Sequence, residues 1–355
     1  GNVDKIVSYN KNDVDITYLF WERCGDQISL RREFAKKYMD ASFMNKSDSS
    51  LGETVFLKTL ASRMRVGEKE LKKRKGTPRK EINVSECILP YVEFQSSEFN
   101  GILDQYRNLT IKAKEGEIKL KGVIKFSCDF EGLKFDYGAG GLHAFGSPRF
   151  YQAGNGKAII DIDVSSYYPN LPIANRFYPE HLSEDFCDIY YEIFQERMKY
   201  EKKTAMNLGL KLALNAVFGK SNSKYSYLYD PKYTVQVTVN GQLLITMLAE
   251  RLAEMSELIM CNTDGLTALV DEDKIPMFRL ICSEFESLTK LPLEYNRYSK
   301  LAMRDVNNYI AQFEDGSIKR KGVFETYEDC VSLHQYHKNI SQEIVALAAQ
   351  EYYIK

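Results

Sequence analysis

Long apolar runs are missing from this 355-residue chain, and so is any excess of charge. No stretch approaches the roughly 18 consecutive apolar residues that a membrane helix needs, and no secretory signal opens the sequence, so a soluble cytoplasmic protein with no membrane partner is expected. Lysine and arginine number 48 against 49 acidic residues, for a net charge of −1. Overall charge therefore selects no class of partner, and any nucleic-acid affinity has to come from local basic clusters. The seven cysteines (24, 87, 128, 187, 261, 282, 330) are scattered and never spaced CxxC. They read as reduced thiols, neither disulfide staples nor zinc ligands. Internal repeats and low-complexity tracts are also missing. What remains is a chain long enough for two or three domains with a sizeable core.

Ala158–Pro172 is the stretch around which the rest is organised. Ala158–Val164 is short, apolar and β-branched, broken only by Asp161 and Asp163, which predicts a buried strand. A carboxylate leaving such a strand is costly unless a cation or hydrogen bonds satisfy it. Two tyrosines follow, and Pro169-Asn170 bends the chain. An acid beside an aromatic platform suggests a metal site gripping a planar or sugar-containing ligand; a plain strand-end turn explains the same residues.

Other constellations are equally two-sided. Lys5–Tyr9 reads as strand or turn and Asp13–Tyr38 as one or two helices. Tyr9 and Asp13 sit at i and i+4 on one helix face, or simply mark an N-cap at Asn12 or Asp13. The run Lys69–Lys80 could track a phosphate backbone or be a solvated loop. Asp129 and Glu131 have a spacing that can share a metal, but Gly132 favours a hairpin turn. Tyr137-Gly-Ala-Gly-Gly-Leu-His143 is a glycine-rich link that lets backbone approach a bulky ligand.

Asp185–Lys203 predicts an amphipathic helix ending in Arg197, Lys199, Lys202 and Lys203. Ala205–Phe218 predicts another, capped by Gly219. Lys211, Asn215 and Phe218 fall on one face of it, either a nucleotide cradle or a solvated lysine beside a half-buried ring. Lys224–Tyr229 reads as an aromatic hairpin and Tyr233–Ser256 as a long helix. Leu258–Cys261 and Leu266–Val270 read as strands flanking Asn262-Thr-Asp-Gly265, which turn chemistry alone also explains. Ile275–Thr289 is expected to be helical. Strands are expected near Leu293–Tyr298, Asn308–Phe313 and Ile318–Val323, and helix in the last 30 residues or so.

Taken in order, Asp163-Val-Ser-Ser-Tyr-Tyr-Pro169, Lys211-Leu-Ala-Leu-Asn215-Ala-Val-Phe-Gly219 and Asn262-Thr-Asp264 resemble the three polymerase motifs of family B DNA polymerases, of the phage or mobile-element type. Tyr137–Gly141 is similar to that family's YxGG link, with the glycines one position late. Tyr309-Ile with Lys319-Arg-Lys-Gly322 is similar to its primer-gripping KxY segment, with Asn307 at the lysine position. Tyr9 and Asp13 resemble its third exonuclease motif.

The resemblance implies an α+β fold with a right-hand palm, an antiparallel sheet with helices on one face, plus helical fingers. Its expected segments are an exonuclease remnant (1–40), a connecting region (41–150), palm (151–183), fingers (184–222), palm again (223–325) and the start of a truncated thumb (326–355). It implies template-directed DNA synthesis from dNTPs on primer–template DNA, in the host cytoplasm if the source is viral. Two Mg²⁺ ions, or Mn²⁺, would be held by Asp163, Asp264 and the Val164 carbonyl. Lys211, Arg197 and Lys202 would meet the triphosphate. Ser166, Tyr167, Tyr168 and Asn215 would hold the nucleotide, with Tyr168 as the sugar gate that excludes a 2′-hydroxyl. Tyr137, Gly140, Gly141, Phe218, Gly219, Asn262, Thr263, Tyr309, Lys319 and Lys321 would contact primer or template.

Departures from the pattern carry expectations of their own. Asn262 replaces the first Asp of the family's DTD turn, which predicts activity with weaker metal affinity, and Gly265 stands where Ser is common. An opening Gly suggests a portion of something longer; no Asp-x-Glu precedes Tyr9, so proofreading by this chain alone is not expected, and the truncated thumb predicts weak, distributive DNA binding. The stretch from Asp163 to Lys211 leaves no room for the domain that protein-primed relatives insert there. Alternative readings are a catalytically weak or inactive palm that binds DNA or an unknown replication partner, and an RNA-handling palm, which Tyr168 and the Lys211–Phe218 face oppose.

Overall fold

The structure is a computed structural model that describes residues 2–74, 76–202, 204–332, 338 and 341–354. Lys75 and Lys203, members of the two basic clusters, lie outside the described residues, as does part of 326–355. In chain order, α1 (Asn2–Arg23), α2 (Gly25–Lys37), α3 (Asp48–Met64) and α4 (Glu68–Lys73) come first. A ribbon of β1 (Glu81–Asn83) and β2 (Thr110–Lys112) brackets α5 (Ser97–Arg107). Next are β3 (Lys125–Phe130), β4 (Leu133–Gly138), β5 (Gly141–Phe145), β6 (Arg149–Gln152) and β7 (Lys157–Val164), then α6 (Tyr167–Asn175), α7 (Asp185–Met198), α8 (Ala205–Ser221) and α9 (Pro231–Ala253). The chain continues through β8 (Ser256–Cys261), β9 (Gly265–Asp271), α10 (Ile275–Thr289), β10 (Leu293–Asp305), β11 (Asn308–Phe313), β12 (Ile318–Lys321), α11 (Tyr327–Ser332) and α12 (Glu343–Tyr353). The fold is α+β, with antiparallel sheets and helices. Among the described residues, no helix is long and apolar enough to cross a membrane.

Two compact units share the chain, Gly1–Thr77 with Tyr178–Asp230, and Pro78–Phe177 with Pro231–Lys355. The first is helical. α3 lies against α8 through Gly52, where an added Cβ would sit 2.5 Å from the Leu212 carbonyl and 2.8 Å from Ala213 Cα. Phe34, Leu51, Val55, Phe56, Tyr190, Leu214 and Val217 form its buried interior. Tyr190 donates its hydroxyl to the Leu214 carbonyl at 2.6 Å.

Several local expectations for this unit are corrected. Lys5–Tyr9 is part of α1, neither strand nor turn. A five-residue β-branched window cannot distinguish the two periods, whereas Val3, Ile6 and Val7 already recur at helical spacing. The helix through Asp185 ends at Met198, and Gly219 lies inside α8, which runs on to Ser221. Lys224–Tyr229 is a series of turns. Its side chains bond to α3 instead of pairing as strands: Ser226 donates to Glu53 Oε1 at 2.5 Å and Tyr227 to the Glu53 carbonyl at 3.0 Å.

The second unit is built on a ten-stranded antiparallel sheet in the order β12-β11-β10-β7-β9-β8-β5-β4-β3, with β6 on β10. α9 is buried almost all round and packs on β8, β5 and β9, so it is a core helix and not an amphipathic one. Two of its buried polar side chains tie it to the segment before α5. Asn240 receives Leu89 N–H at 2.8 Å and donates to the Cys87 carbonyl at 2.7 Å. Glu250 accepts Ser96 N–H at 2.8 Å and Gln95 N–H at 3.0 Å. Asp129 lies in β3, and Glu131-Gly132 is the hairpin turn into β4, both at positive φ (49° and 76°). The Tyr137–His143 segment is likewise a hairpin, β4 to β5, and not a linker.

Candidate functional site

β7 lies in the middle of the large sheet, with β9 on one side and β10 on the other. Its alternate residues divide between two faces. Ala158, Ile160 and Ile162 are buried, while Ile159, Asp161 and Asp163 share the opposite face. Register sets what meets Asp163: Gly265 opposes it on β9 and Glu294 on β10. Just beyond, Val164 N–H donates to the Asp264 carbonyl at 2.7 Å. The two acids are thus held at adjoining strand ends, Asp264 exposed in its turn and Asp163 partly buried.

Electrostatics report the same proximity. The Asp163 carboxyl is pushed up to about 7 by burial, then by the charges of Asp161 and Asp264, with Lys319 and Lys321 opposing. The Tyr168 hydroxyl is raised by burial and by the charge of Asp264. Glu294 adds a further acid, held by the Ser165 hydroxyl at 2.8 Å.

The Asn262–Gly265 turn is positioned from two directions. Asn262 Oδ1 accepts Asp264 N–H at 3.2 Å, and Asn262 N–H donates to the Gly265 carbonyl at 2.9 Å. The β4–β5 hairpin reaches it as well: a Cβ on Gly141, whose φ is +131°, would overlap Thr263 Oγ1 and lie 2.6 Å from Cγ2. Gly141 and Thr263 are therefore brought together, and Gly140 is exposed in the same turn.

Other expected ligand contacts are core residues. Tyr137 is 2% exposed and its hydroxyl lies 3.0 Å from Thr246 Oγ1 on α9. Tyr167 is buried and donates to the Gly241 carbonyl at 2.6 Å. Both rings are buried and tied to α9, so neither is open to a nucleotide or a template. Ser166 sits at φ +46°, where the chain swings from strand into α6. That turn leaves Tyr168 only partly buried.

Tyr309 is buried too, but it serves as a platform. Lys319 and Lys321 of β12 sit over its ring at 5.6 and 5.7 Å from the centroid. Lys319 Nζ also donates to the Tyr298 hydroxyl at 2.9 Å and lies 3.5 Å from Asp161 Oδ2. Burial depresses the Lys319 ammonium, but Asp161, Tyr309 and Asp163 together outweigh it and the net shift is upward. Asp161, Thr267 and Tyr298 had no place among the sequence candidates. The available signal was Asp161's position, two residues before Asp163 and so on its face.

In the helical unit, Lys211 and Asn215 are exposed on α8 and Phe218 half-exposed beside them, opposite buried Leu210, Leu214 and Val217. Gly219 and Lys202 are exposed. Arg197 donates to Asn207 Oδ1 at 3.4 Å. Tyr9 and Asp13 are exposed in the middle of α1.

No family model and no curated protein matches the chain. Among solved structures it is similar to the family B DNA polymerase from the hyperthermophilic archaeon Pyrobaculum calidifontis, with a TM-score of 0.43 and 14% identity, over 87% of this chain. The chain spans 38% of that polymerase's length.

Among the described residues, no group of three or more His, Cys, Asp or Glu is gathered closely enough to hold a metal ion. The donors at hand are the carboxylates of Asp163 and Asp264, with that of Glu294 opposite Asp163 across the sheet. That set suits Mg²⁺, which keeps waters and binds through one or two carboxylates together with substrate phosphates. A carboxyl raised by a neighbouring acid is also what a divalent cation would relieve.

Proposed function

We propose that this chain carries the nucleotidyl-transfer core of a template-directed DNA polymerase of the family B kind, adding dNTPs to a primer 3′-hydroxyl. The observation that carries the reading is the meeting of Asp163 and Asp264, distant in sequence, through the Val164–Asp264 backbone bond and the upward shift of Asp163. Phosphoryl transfer needs little covalent help from a protein; it needs position and charge neutralisation. Asp163, Asp264 and the Val164 carbonyl are the groups that would hold Mg²⁺ or Mn²⁺. When bound, such ions supply Lewis acidity, favouring ionisation of the 3′-hydroxyl and offsetting the charge of the triphosphate.

The protein's own residues do the rest. The Tyr168 ring, beside the acids, forms a floor for the sugar that leaves no room for a 2′-hydroxyl. Lys319 and Lys321 present ammonium groups to a phosphate backbone from the Tyr309 platform. On the helical unit, taken by itself, Lys211, Arg197 and Lys202 are proposed as phosphate-binding groups and Asn215 as a nucleotide-binding one. Thr263 and Gly141 give a close-packed turn against which a primer end can rest.

Asn262 favours a second reading, a DNA-binding module with little or no catalysis, because an amide stands where a further carboxylate would strengthen cation binding. Primer extension on a defined template with Mg²⁺ separates the two. Extension is expected with dNTPs and not with NTPs, and Asp163→Ala or Asp264→Ala abolishes it while the circular dichroism spectrum is kept. Near-parental rates in either variant would overturn the site. No extension at high enzyme, with DNA still bound, would establish the module; equal use of NTPs would remove Tyr168 from its role.

A further inference from the structure

Behind the two acids a chain of hydrogen bonds runs across the sheet, perpendicular to its strands. Lys319 on β12 donates to the Tyr298 hydroxyl on β10 at 2.9 Å. Tyr298 donates to Asp161 Oδ2 on β7 at 2.5 Å, and Thr267 on β9 donates to Asp161 Oδ1 at 2.6 Å. Every donor in the chain points toward Asp161, which accepts from both sides. The register of β10 against β7, Asn296 opposite Asp161 and Tyr298 opposite Ile159, puts Tyr298 on this face.

A carboxylate only 4% exposed is hard to justify by stability alone, since an apolar residue of like size commonly serves as well. The cation it faces is different: the Lys319 side chain keeps 34% of its exposure and stands near the sheet edge. A lysine has a flexible four-carbon stem that solvent would otherwise leave free.

We infer that Asp161 is a positioning residue, which through Tyr298 holds the Lys319 ammonium ready for the phosphate backbone of a primer–template. The inference rests on the proposed function. Preorganisation improves binding by removing the cost of ordering a side chain on contact. Asp161 itself touches no ligand; it acts through Lys319.

The test is a double-mutant cycle on binding, read by fluorescence anisotropy of a labelled primer–template without nucleotides. Asp161→Asn reverses the donor at Oδ2, and Lys319→Met removes the ammonium. Each is expected to weaken binding about tenfold, and the double variant no more than either alone, because both break one arrangement. Tyr298→Phe, which keeps the ring and removes the relay hydroxyl, is expected to lower the melting temperature and to weaken binding several-fold per folded molecule, measured at a temperature where the variant remains folded. It decides the matter should Asp161→Asn fail to fold. Additive losses near a hundredfold, parental binding by Tyr298→Phe, or tighter binding by Asp161→Asn would overturn the inference, the last by showing that the carboxylate withholds the ammonium. If the unaltered chain binds no primer–template, the proposed function falls as well; if it binds and the variants match it, only the inference does.

Discussion

Gly265 faces Asp163 across the β7–β9 pair so closely that no side chain fits between them. A Cβ there would overlap the Ile162 carbonyl and Asp163 Oδ1, and lie 2.9 Å from Asp163 Cα. The glycine where serine was the expected residue is thus a condition of where the Asp163 carboxylate sits. Gly265→Ala is expected to cost about 1–3 kcal/mol by overpacking and to reduce primer extension by more than its loss of stability explains. Urea unfolding and extension rates check this together; an alanine variant with parental stability would show that the strands can part without strain.

The upward shift of Asp163 gives a pH dependence with a definite sign. Its carboxyl is raised from 3.8 to about 7, by burial first and then by Asp161 and Asp264. Between those values the folded chain keeps a proton that the unfolded chain has released, so stability falls as pH rises through this window when no divalent cation is present. Asp163→Asn is expected to remove that part of the slope. Thermal melts in chelator at pH 4, 5.5, 7 and 8 measure it, and identical slopes for parent and variant would contradict the assignment.

Added Mg²⁺ is expected to raise the melting temperature more at pH 8 than at pH 6, because cation binding needs the ionised carboxylates. Asp264→Asn is expected to reduce this protection. Protection independent of pH, or unchanged in the variant, would place the binding elsewhere.

Gly141 combines a positive φ with contact against Thr263, so Gly141→Ala is expected to destabilise by about 1–3 kcal/mol through strain and overpacking together. Thr263→Ala in the same chain removes Oγ1 and Cγ2 but not the backbone strain, so it should restore only part of the loss. Full restoration would show that φ at this position carries no cost.

Glu250 provides a control away from the site. It is 8% exposed and accepts the Gln95 and Ser96 N–H groups together with the Ser96 hydroxyl at the start of α5. Glu250→Ala leaves those donors buried and unpaired, at a cost of about 3 kcal/mol. Chemical denaturation should show that loss while DNA affinity per folded molecule is unchanged.

Local pattern made much of the sheet legible. The β-branched run of β7, the Asn262–Gly265 turn between β8 and β9, and the limits of α10 and β11 follow from residues within a few positions of each other. Where the same reasoning failed, the deciding partner was distant. Ser226 and Tyr227 bond to α3 in place of a hairpin, and Tyr137 and Tyr167 are held by α9, whereas at Val3, Ile6 and Val7 the window read was too short to tell helix from strand.

The sequence by itself determined the strands on either side of the Asn262–Gly265 turn, that turn, and that Asp161 and Asp163 must share a face, because alternation along an extended backbone leaves no other choice. Strand order was beyond it. Only the tertiary structure decided that β7 lies between β9 and β10, and it is that neighbourhood which brings Asp264 to Asp163 and Tyr298 and Lys319 to Asp161. The physical reason is that propensity acts within a few residues, whereas the partner of a buried carboxylate is set by which distant strand supplies the adjoining hydrogen bonds.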